Sequence, residues 1–137
     1  MPRLEFDSVH SYSAQAEGIG VPVVLKHGLE VVDFLAFIDT GATNCLFQRA
    51  HGELLGLEIE IGVPKTFWTA TGRVETFGHM VTLEVHGLSV ESFVYFFADE
   101  QIHKNLLGRI GWLDRVRFGL VEYDQVIYLA PYDAGQI

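Results

Sequence analysis

The chain has 137 residues, of which 49% are hydrophobic and 20% charged, a balance that supports one folded domain with a sizeable core and excludes intrinsic disorder. Nine basic against eighteen acidic residues leave a formal net charge of −9; a nucleic-acid backbone or an anionic membrane surface, both of which need clustered Lys and Arg, is therefore a poor partner. The single cysteine, Cys45, excludes an internal disulfide and a Cys-based zinc site. No apolar run approaches the ~20 residues of a spanning helix, and Met1–Asp7 lacks the layout of a signal peptide. A soluble, cytoplasmic single domain over residues 1–137 is expected.

The residues from Ser11 to Gly20 are small and polar and read as a loop. Val21–Lys26 and Glu30–Ile38 read as strands flanking a turn at His27-Gly28-Leu29. The second run is nearly all apolar towards its end, as in a strand buried on both faces. Leu46–Leu55 carries apolar residues near a 3.6 period and ends at Gly56, so a helix is expected there. Lys65–Ala70 and a longer strand to Val85 flank a turn at Thr71-Gly72-Arg73. His86-Gly87 turns the chain into Val90–Phe97. A second helix is expected from Gly108 over Arg109–Arg115. Phe118–Glu122 and Gln125–Leu129, joined by Tyr123-Asp124, read as a last hairpin. About eight strands and two short helices make a mainly β protein, closed or sandwich-like.

The stretch richest in chemistry is Phe37-Ile38-Asp39-Thr40-Gly41-Ala42. A carboxylate follows directly on a buried strand, and a small hydroxyl residue, a glycine and another small residue come next. Apolar neighbours raise a carboxyl pKa, and glycine permits a sharp turn and close backbone approach. The pattern suits a carboxylate presented in a narrow cleft. A plain turn, in which the Asp accepts from local amides, uses the same residues.

Asp39-Thr40-Gly41-Ala42 after an apolar strand resembles the active-site motif of retropepsin-like aspartic proteases. The family's second signature, two apolar residues and a glycine, is matched by Leu106-Leu107-Gly108, some seventy residues on and in the correct order. The closing Arg117–Leu129 is similar to the final hairpin of cellular members, so the likeness spans roughly Val21 to Leu129, with 1–20 as an N-terminal arm and 130–137 as a tail. It implies a closed retropepsin-like β-barrel and a C2 homodimer acting on peptide or protein substrates, without metal or organic cofactor.

In that family each chain gives one aspartate, and two meet at the dyad to hold a water. Two carboxylates so close cannot both ionise cheaply and share one proton. The charged one acts as base on the water and the protonated one polarises the scissile carbonyl, which implies activity at mildly acidic pH. By resemblance, the catalytic loop is Asp39, Thr40 and Gly41: Thr40 buttresses the aspartates across the dimer and Gly41 offers its backbone to substrate. Ala42 keeps the cleft narrow, and Leu106, Leu107 and Gly108 pack behind the loop. The family's flap falls on Thr66–Gly78, where Trp68, Phe67 and the tip residues Thr71 and Gly72 are placed to meet substrate. Ala42, Trp68, Thr71, Gly72 and Leu107 form the expected substrate-binding set, although Phe67 and Trp68 equally suit ordinary strand packing.

Three departures qualify the likeness. The flap looks short, with one glycine at its tip. The acid that pairs with the arginine at Arg109 in retroviral enzymes is replaced by Thr43. The chain closes in a hairpin rather than a terminal strand shared between subunits, which points to Phe93–Phe97 as an exposed dimer strand. The histidines (10, 27, 51, 79, 86 and 103) show no paired ligand spacing and read as turn or surface residues, and Cys45 reads as core. An aspartic endopeptidase is thus the leading expectation. A retropepsin-like peptide-binding or dimerisation module with little turnover is the second, and an unrelated β-barrel for a small ligand the third.

Overall fold

In the computed structural model, which describes residues 1–135, ten strands and one short helix follow in chain order: β1 (Ser8–Ser11), β2 (Gly20–His27), β3 (Glu30–Ile38), β4 (Leu46–Phe47), α1 (Arg49–Leu54), β5 (Val63–Thr69), β6 (Gly72–Val85), β7 (Leu88–Phe97), β8 (Leu106–Leu107), β9 (Val116–Val121) and β10 (Val126–Pro131). Seven form one sheet in the order β2-β3-β8-β4-β7-β6-β5. A further antiparallel pairing, Val24↔Glu84 through Lys26↔Thr82, joins β2 to β6 and closes six of them into a barrel. Closure leaves β5 outside, attached only to β6. The first strand and the last two form a separate three-stranded sheet, β1-β10-β9.

Alternation along the strands builds the core. Val21, Val23 and Leu25 of β2, Val81, Leu83 and Val85 of β6, and Val94 and Phe96 of β7 are buried, every second residue facing the barrel interior as the pleat dictates. Ile127 and Leu129 of β10 and the indole of Trp112 join the same cluster. Each such side chain contributes about 1.5–3 kcal/mol through burial. The turns fall where their chemistry places them. His27 pairs with Glu30 across Gly28, whose φ of 59° glycine adopts without strain. His86 and Gly87 both take positive φ, 50° and 76°, as a two-residue hairpin of the primed type requires.

Three expectations are corrected. Leu46 and Phe47 are not helical; they form a strand between Leu106 of β8 and Tyr95–Phe96 of β7, because filling that gap in the barrel wall outweighs a helical spacing. The helix starts only at Arg49. The helix expected over Arg109–Arg115 reduces to a 3-10 turn at Leu113–Arg115, since Gly111 at φ 108° breaks the regular backbone ahead of it. Phe93–Phe97 is no exposed strand. Val94 through Phe97 are buried, and at Tyr95–Phe96 β7 has neighbours on both sides, β6 and β4, so this stretch offers no edge to a partner. Between Ser11 and Gly20 the chain is irregular as expected, and ahead of it the arm supplies β1, a strand the sequence did not signal, which pairs with β10 from Ser8↔Leu129 to Ser11↔Val126. At the other end β10 runs to Pro131, and Gln136 and Ile137 of the expected tail lie outside the described residues.

Candidate active site

Asp39 is the first residue after β3, where the chain leaves the barrel wall. Phe37 and Ile38 pair in parallel with Leu106 and Leu107, and the Asp39 N–H donates to the Leu107 carbonyl at 2.9 Å. Here the backbone turns: the Gly41 N–H donates to Asp39 Oδ1 at 2.9 Å and the Ala42 N–H to the Asp39 carbonyl at 3.1 Å. One carboxylate oxygen is thus engaged by the loop itself. Asp39 is half-buried, and Thr40 and Gly41 are exposed.

Leu106–Ile110 clamps the loop from behind. The Arg109 N–H reaches the Ala42 carbonyl at 2.9 Å and the Ile110 N–H the Thr43 carbonyl at 2.7 Å. Gly108 lies between these contacts. A Cβ there would stand 2.5 Å from the Asn44 carbonyl carbon, 2.8 Å from the Ala42 oxygen, and closer still to the Asn44 oxygen. The glycine is therefore dictated by backbone-to-backbone approach rather than by its own dihedral freedom. The two short motifs of the sequence are one structural unit, a turn and the strand that holds it.

Asp39 borders a hollow of about 630 Å³, lined also by Leu35, Phe37 and Leu106 and rimmed by Glu17, Lys104 and His103. The position of Leu35 and Phe37 follows from alternation on β3, which puts residues two and four before Asp39 on its face. Glu17 and Gly18 bring the arm into the wall. Asn105, nearly buried, braces the floor: its Oδ1 accepts from the Gln48 N–H at 3.0 Å and its Nδ2 donates to the Leu35 carbonyl at 3.3 Å. Sequence reasoning placed Leu106 behind the Asp39 loop and missed the others as walls of the hollow. The period of β3 signals Leu35 and Phe37; nothing local signals Glu17, His103 or Lys104, which the topology brings in from distant segments.

The expected substrate-binding residues are placed unequally. Ala42 is half-buried in the Asp39 loop. Leu107 is fully buried, so its side chain supports the loop while that of Leu106 reaches the hollow. Trp68, Thr71 and Gly72 are at the far end of the β5–β6 hairpin, whose last pair is Thr69↔Gly72, and none of them lines the hollow. Along the hairpin, Phe67 turns inward against Tyr95, with ring centroids 5.4 Å apart, while Trp68 faces out, 77% exposed. β7 accompanies β6 only as far as Thr76↔Phe97, so four pairs of the hairpin project beyond the barrel.

Cys45 is buried and its thiol is pushed up to about 12, chiefly by burial; it is core, as expected. The histidines are more engaged than their spacing suggests. His51 stacks on Phe34 at 4.0 Å, and burial lowers its pKa. His10 Nε2 meets the Gly20 carbonyl at 2.9 Å and its Nδ1 meets His86 Nε2 at 2.9 Å. A carbonyl only accepts, so His10 carries its proton on Nε2, and His86 donates to the free Nδ1. Among the described residues, no three His, Cys, Asp or Glu side chains are grouped to hold a metal ion, and no helix is long and apolar enough to cross a membrane.

A mainly β barrel with a half-buried carboxylate at the tip of a glycine turn, clamped by a Leu-Leu-Gly strand, defines the class of acid-protease folds. A family model described as aspartyl protease matches residues 21–110, and the chain belongs to that family. Two solved structures share its fold. A retropepsin-like aspartic protease from Rickettsia conorii is 14% identical over 90% of this chain and 97% of that one, with a TM-score of 0.64. EIAV protease in complex with an inhibitor is 21% identical over 72% of this chain and 88% of that one, with a TM-score of 0.55. Among curated proteins, none matches.

Proposed function

We propose that the chain is an aspartic endopeptidase whose active unit is a C2 homodimer, each subunit supplying one Asp39. The observation that carries the reading is the position of this carboxylate. It is held at the tip of a rigid turn, with one oxygen engaged by the Gly41 N–H and a hollow lined in part by Leu35, Phe37 and Leu106 at its side. A single carboxylate cannot at once accept a proton from water and donate one to a carbonyl, so a monomer holds half the acid–base machinery. Two Asp39 side chains facing each other across a two-fold axis share one proton and titrate as a pair. The ionised member takes the proton of a water lying between them as that water attacks the scissile carbonyl carbon. The protonated member hydrogen-bonds the carbonyl oxygen. In the tetrahedral intermediate the first Asp39 gives the water-derived proton to the leaving nitrogen, the C–N bond breaks, and the proton shared with the former carbonyl oxygen stays with the second Asp39, which restores the singly protonated pair.

Residues 1–137 act as one domain, with 21–129 as the family core, 1–20 as an arm that walls the hollow through Glu17 and Gly18, and 130–137 as a tail. Thr40 and Gly41 shape the loop, Ala42 leaves it room, and the hairpin tip with Trp68, Thr71 and Gly72 closes over an extended peptide. Leu35, Phe37 and Leu106 receive an apolar side chain next to the scissile bond. The chemistry uses no metal or organic cofactor, and the site of action is the cytoplasm.

The test is cleavage of a diverse peptide pool from about pH 3.5 to 7, the range of known aspartic dyads, beside Asp39→Asn. Cleavage that peaks in acid and vanishes in the variant is expected. A dimeric protein that cleaves nothing at any pH refutes the protease reading in favour of a peptide-binding module. Cleavage that survives in Asp39→Asn refutes the dyad.

A further inference from the structure

A second depression, about 460 Å³, adjoins the Asp39 turn at Thr40 and is lined by Thr40, Thr43, Arg109, Ile110, Leu113 and Asp114. Its composition is unusual for an ordinary surface dip. Ile110 is 57% exposed although its backbone is fixed by the parallel bridge to Asn44, of which its N–H bond to the Thr43 carbonyl is part. An apolar side chain is therefore held outward on rigid backbone. Arg109 is exposed beside it, and among the described residues its guanidinium has neither an ion pair nor a hydrogen bond. The other arginines near folded elements are engaged: Arg49 with Glu60 and Glu53, Arg73 with Glu75, Arg115 with Asp114, and Arg117 with the Glu5 and Ala134 carbonyls. Asp114 accepts from the Gly111 N–H at 3.0 Å through Oδ1, and its 3.8 Å approach to Arg115 Nε is loose, so the carboxylate retains acceptor capacity.

We infer that this depression is the surface on which a second copy of the chain docks, with Arg109 of each copy pairing with Asp114 of the other. The inference rests on the dimer reading above and adds the residues that hold the dimer. Two features select a second copy over an unrelated partner. The depression begins at Thr40, so a copy brought to Asp39 by a two-fold axis must lie over it. The surface also carries one cation and one anion on the same rim. A two-fold interface sets residue i against j and j against i, so one patch bearing both signs complements itself and makes two equivalent ion pairs. The exposed Ile110 supplies the apolar centre that such a small interface needs, inside a charged rim. Thr43, which lines the depression beside Arg109, is neutral, so it leaves Arg109 without an acid within the chain. Its partner is supplied by assembly.

The experiment is sedimentation or light-scattering mass against concentration for wild type, Arg109→Asp, Asp114→Arg and the double swap Arg109→Asp/Asp114→Arg. Each single reversal sets like charges together and should raise the dimer dissociation constant at least about a hundredfold. The double swap restores both pairs and should recover to within about tenfold of wild type. Raising the salt should weaken the wild-type dimer less than it relieves the single variants. Arg109→Asp removes no bond within the chain, so it keeps its fold; Asp114→Asn retains the acceptor for Gly111 and replaces Asp114→Arg should the latter unfold. Singles that dimerise like wild type, a double swap no better than the singles, or a wild type that stays monomeric at every concentration overturns the inference. An Arg109→Asp protein of unchanged mass but raised KM assigns Arg109 to substrate and also overturns it. Asp39→Asn separates the two readings: it should stay dimeric while losing cleavage, so failure of the dyad leaves the mass data standing, and failure of the interface leaves the dyad standing.

Discussion

Replacing Gly108 with alanine tests whether the Asp39 turn and the Leu106–Ile110 segment are one unit. The added Cβ would lie 2.5 Å from the Asn44 carbonyl carbon and 2.8 Å from the Ala42 oxygen. Restoring ordinary contact requires the two backbones to part by about 1 Å, a displacement of the overpacking kind that costs about 1–3 kcal/mol. The same movement stretches Arg109 N–H to Ala42 O and Ile110 N–H to Thr43 O, now 2.9 and 2.7 Å; each lost bond contributes about 1 kcal/mol net. The expected destabilisation is about 3–5 kcal/mol, a large part of the ~5–15 kcal/mol of a whole domain. For a chain of this length that lowers Tm by about 10–15 °C. Gly41→Ala is the control, since its Cβ would meet only Asp39 Oδ1, at 3.2 Å, and it should cost less than about 1 kcal/mol. Calorimetric or fluorescence melting of the three proteins gives the answer. A Gly108→Ala protein melting within about 3 °C of wild type refutes the claim that close backbone approach fixes this glycine.

Asn105→Ala should leave the Gln48 N–H without its acceptor and cost about 1–3 kcal/mol, read as a lower denaturant midpoint; an unchanged midpoint removes Asn105 as the brace of the hollow. Burial, then the neighbouring His10, lowers the pKa of His86 below 6.5, and burial alone does so for His51. Below pH 6.5 the unfolded chain therefore holds more protons than the folded one, so this stability is complete above pH 6.5 and is lost as pH falls through the depressed values. The Tm should begin to decline near pH 6.5, well before Glu60, held below 4.5 chiefly by the Arg49 hydrogen bond, titrates. His10→Gln/His86→Gln should flatten the first part of that decline, and an equal slope in the double variant counts against the pair. Trp68→Ala, removing an indole that is 77% exposed, should change the unfolding free energy by less than about 0.5 kcal/mol while raising KM for peptide cleavage; loss of stability instead makes Trp68 a packing residue.

The strand core was legible because alternation and turn glycines are local. Val21–Lys26, Glu30–Ile38 and the Gly28 and Gly87 turns needed no knowledge of the rest of the chain. The Asp39 turn and the Leu-Leu-Gly strand were legible as motifs, and their contact follows from parallel pairing of Phe37–Ile38 with Leu106–Leu107. Leu46–Phe47 misled because a two-residue strand leaves no period of its own; its place is set by β7 and β8, far along the chain. Phe93–Phe97 misled in the opposite way. Its uniform apolarity marks burial on both faces, and four consecutive buried residues are what a strand enclosed by neighbours looks like. The walls of the hollow at Glu17, His103 and Lys104 depend wholly on tertiary closure and leave no local signature.

The fourteen residues of β6 belong to two structures at once. Its outer part is half of the projecting hairpin and its inner part is barrel wall, paired with β7 and, at Thr82–Glu84, with β2. Mechanically it is a beam clamped at one end. The clamp is firm at Gly78, where the rings of Phe93 and Tyr95 leave no space for even a methyl group, so the hairpin has no loose hinge at its root and must flex along its four free pairs. Opening then becomes an elastic property of one strand, set by its free length. On the function proposed above, lengthening or trimming the hairpin by a residue pair should tune how fast a peptide enters and leaves while Asp39 itself stays unchanged.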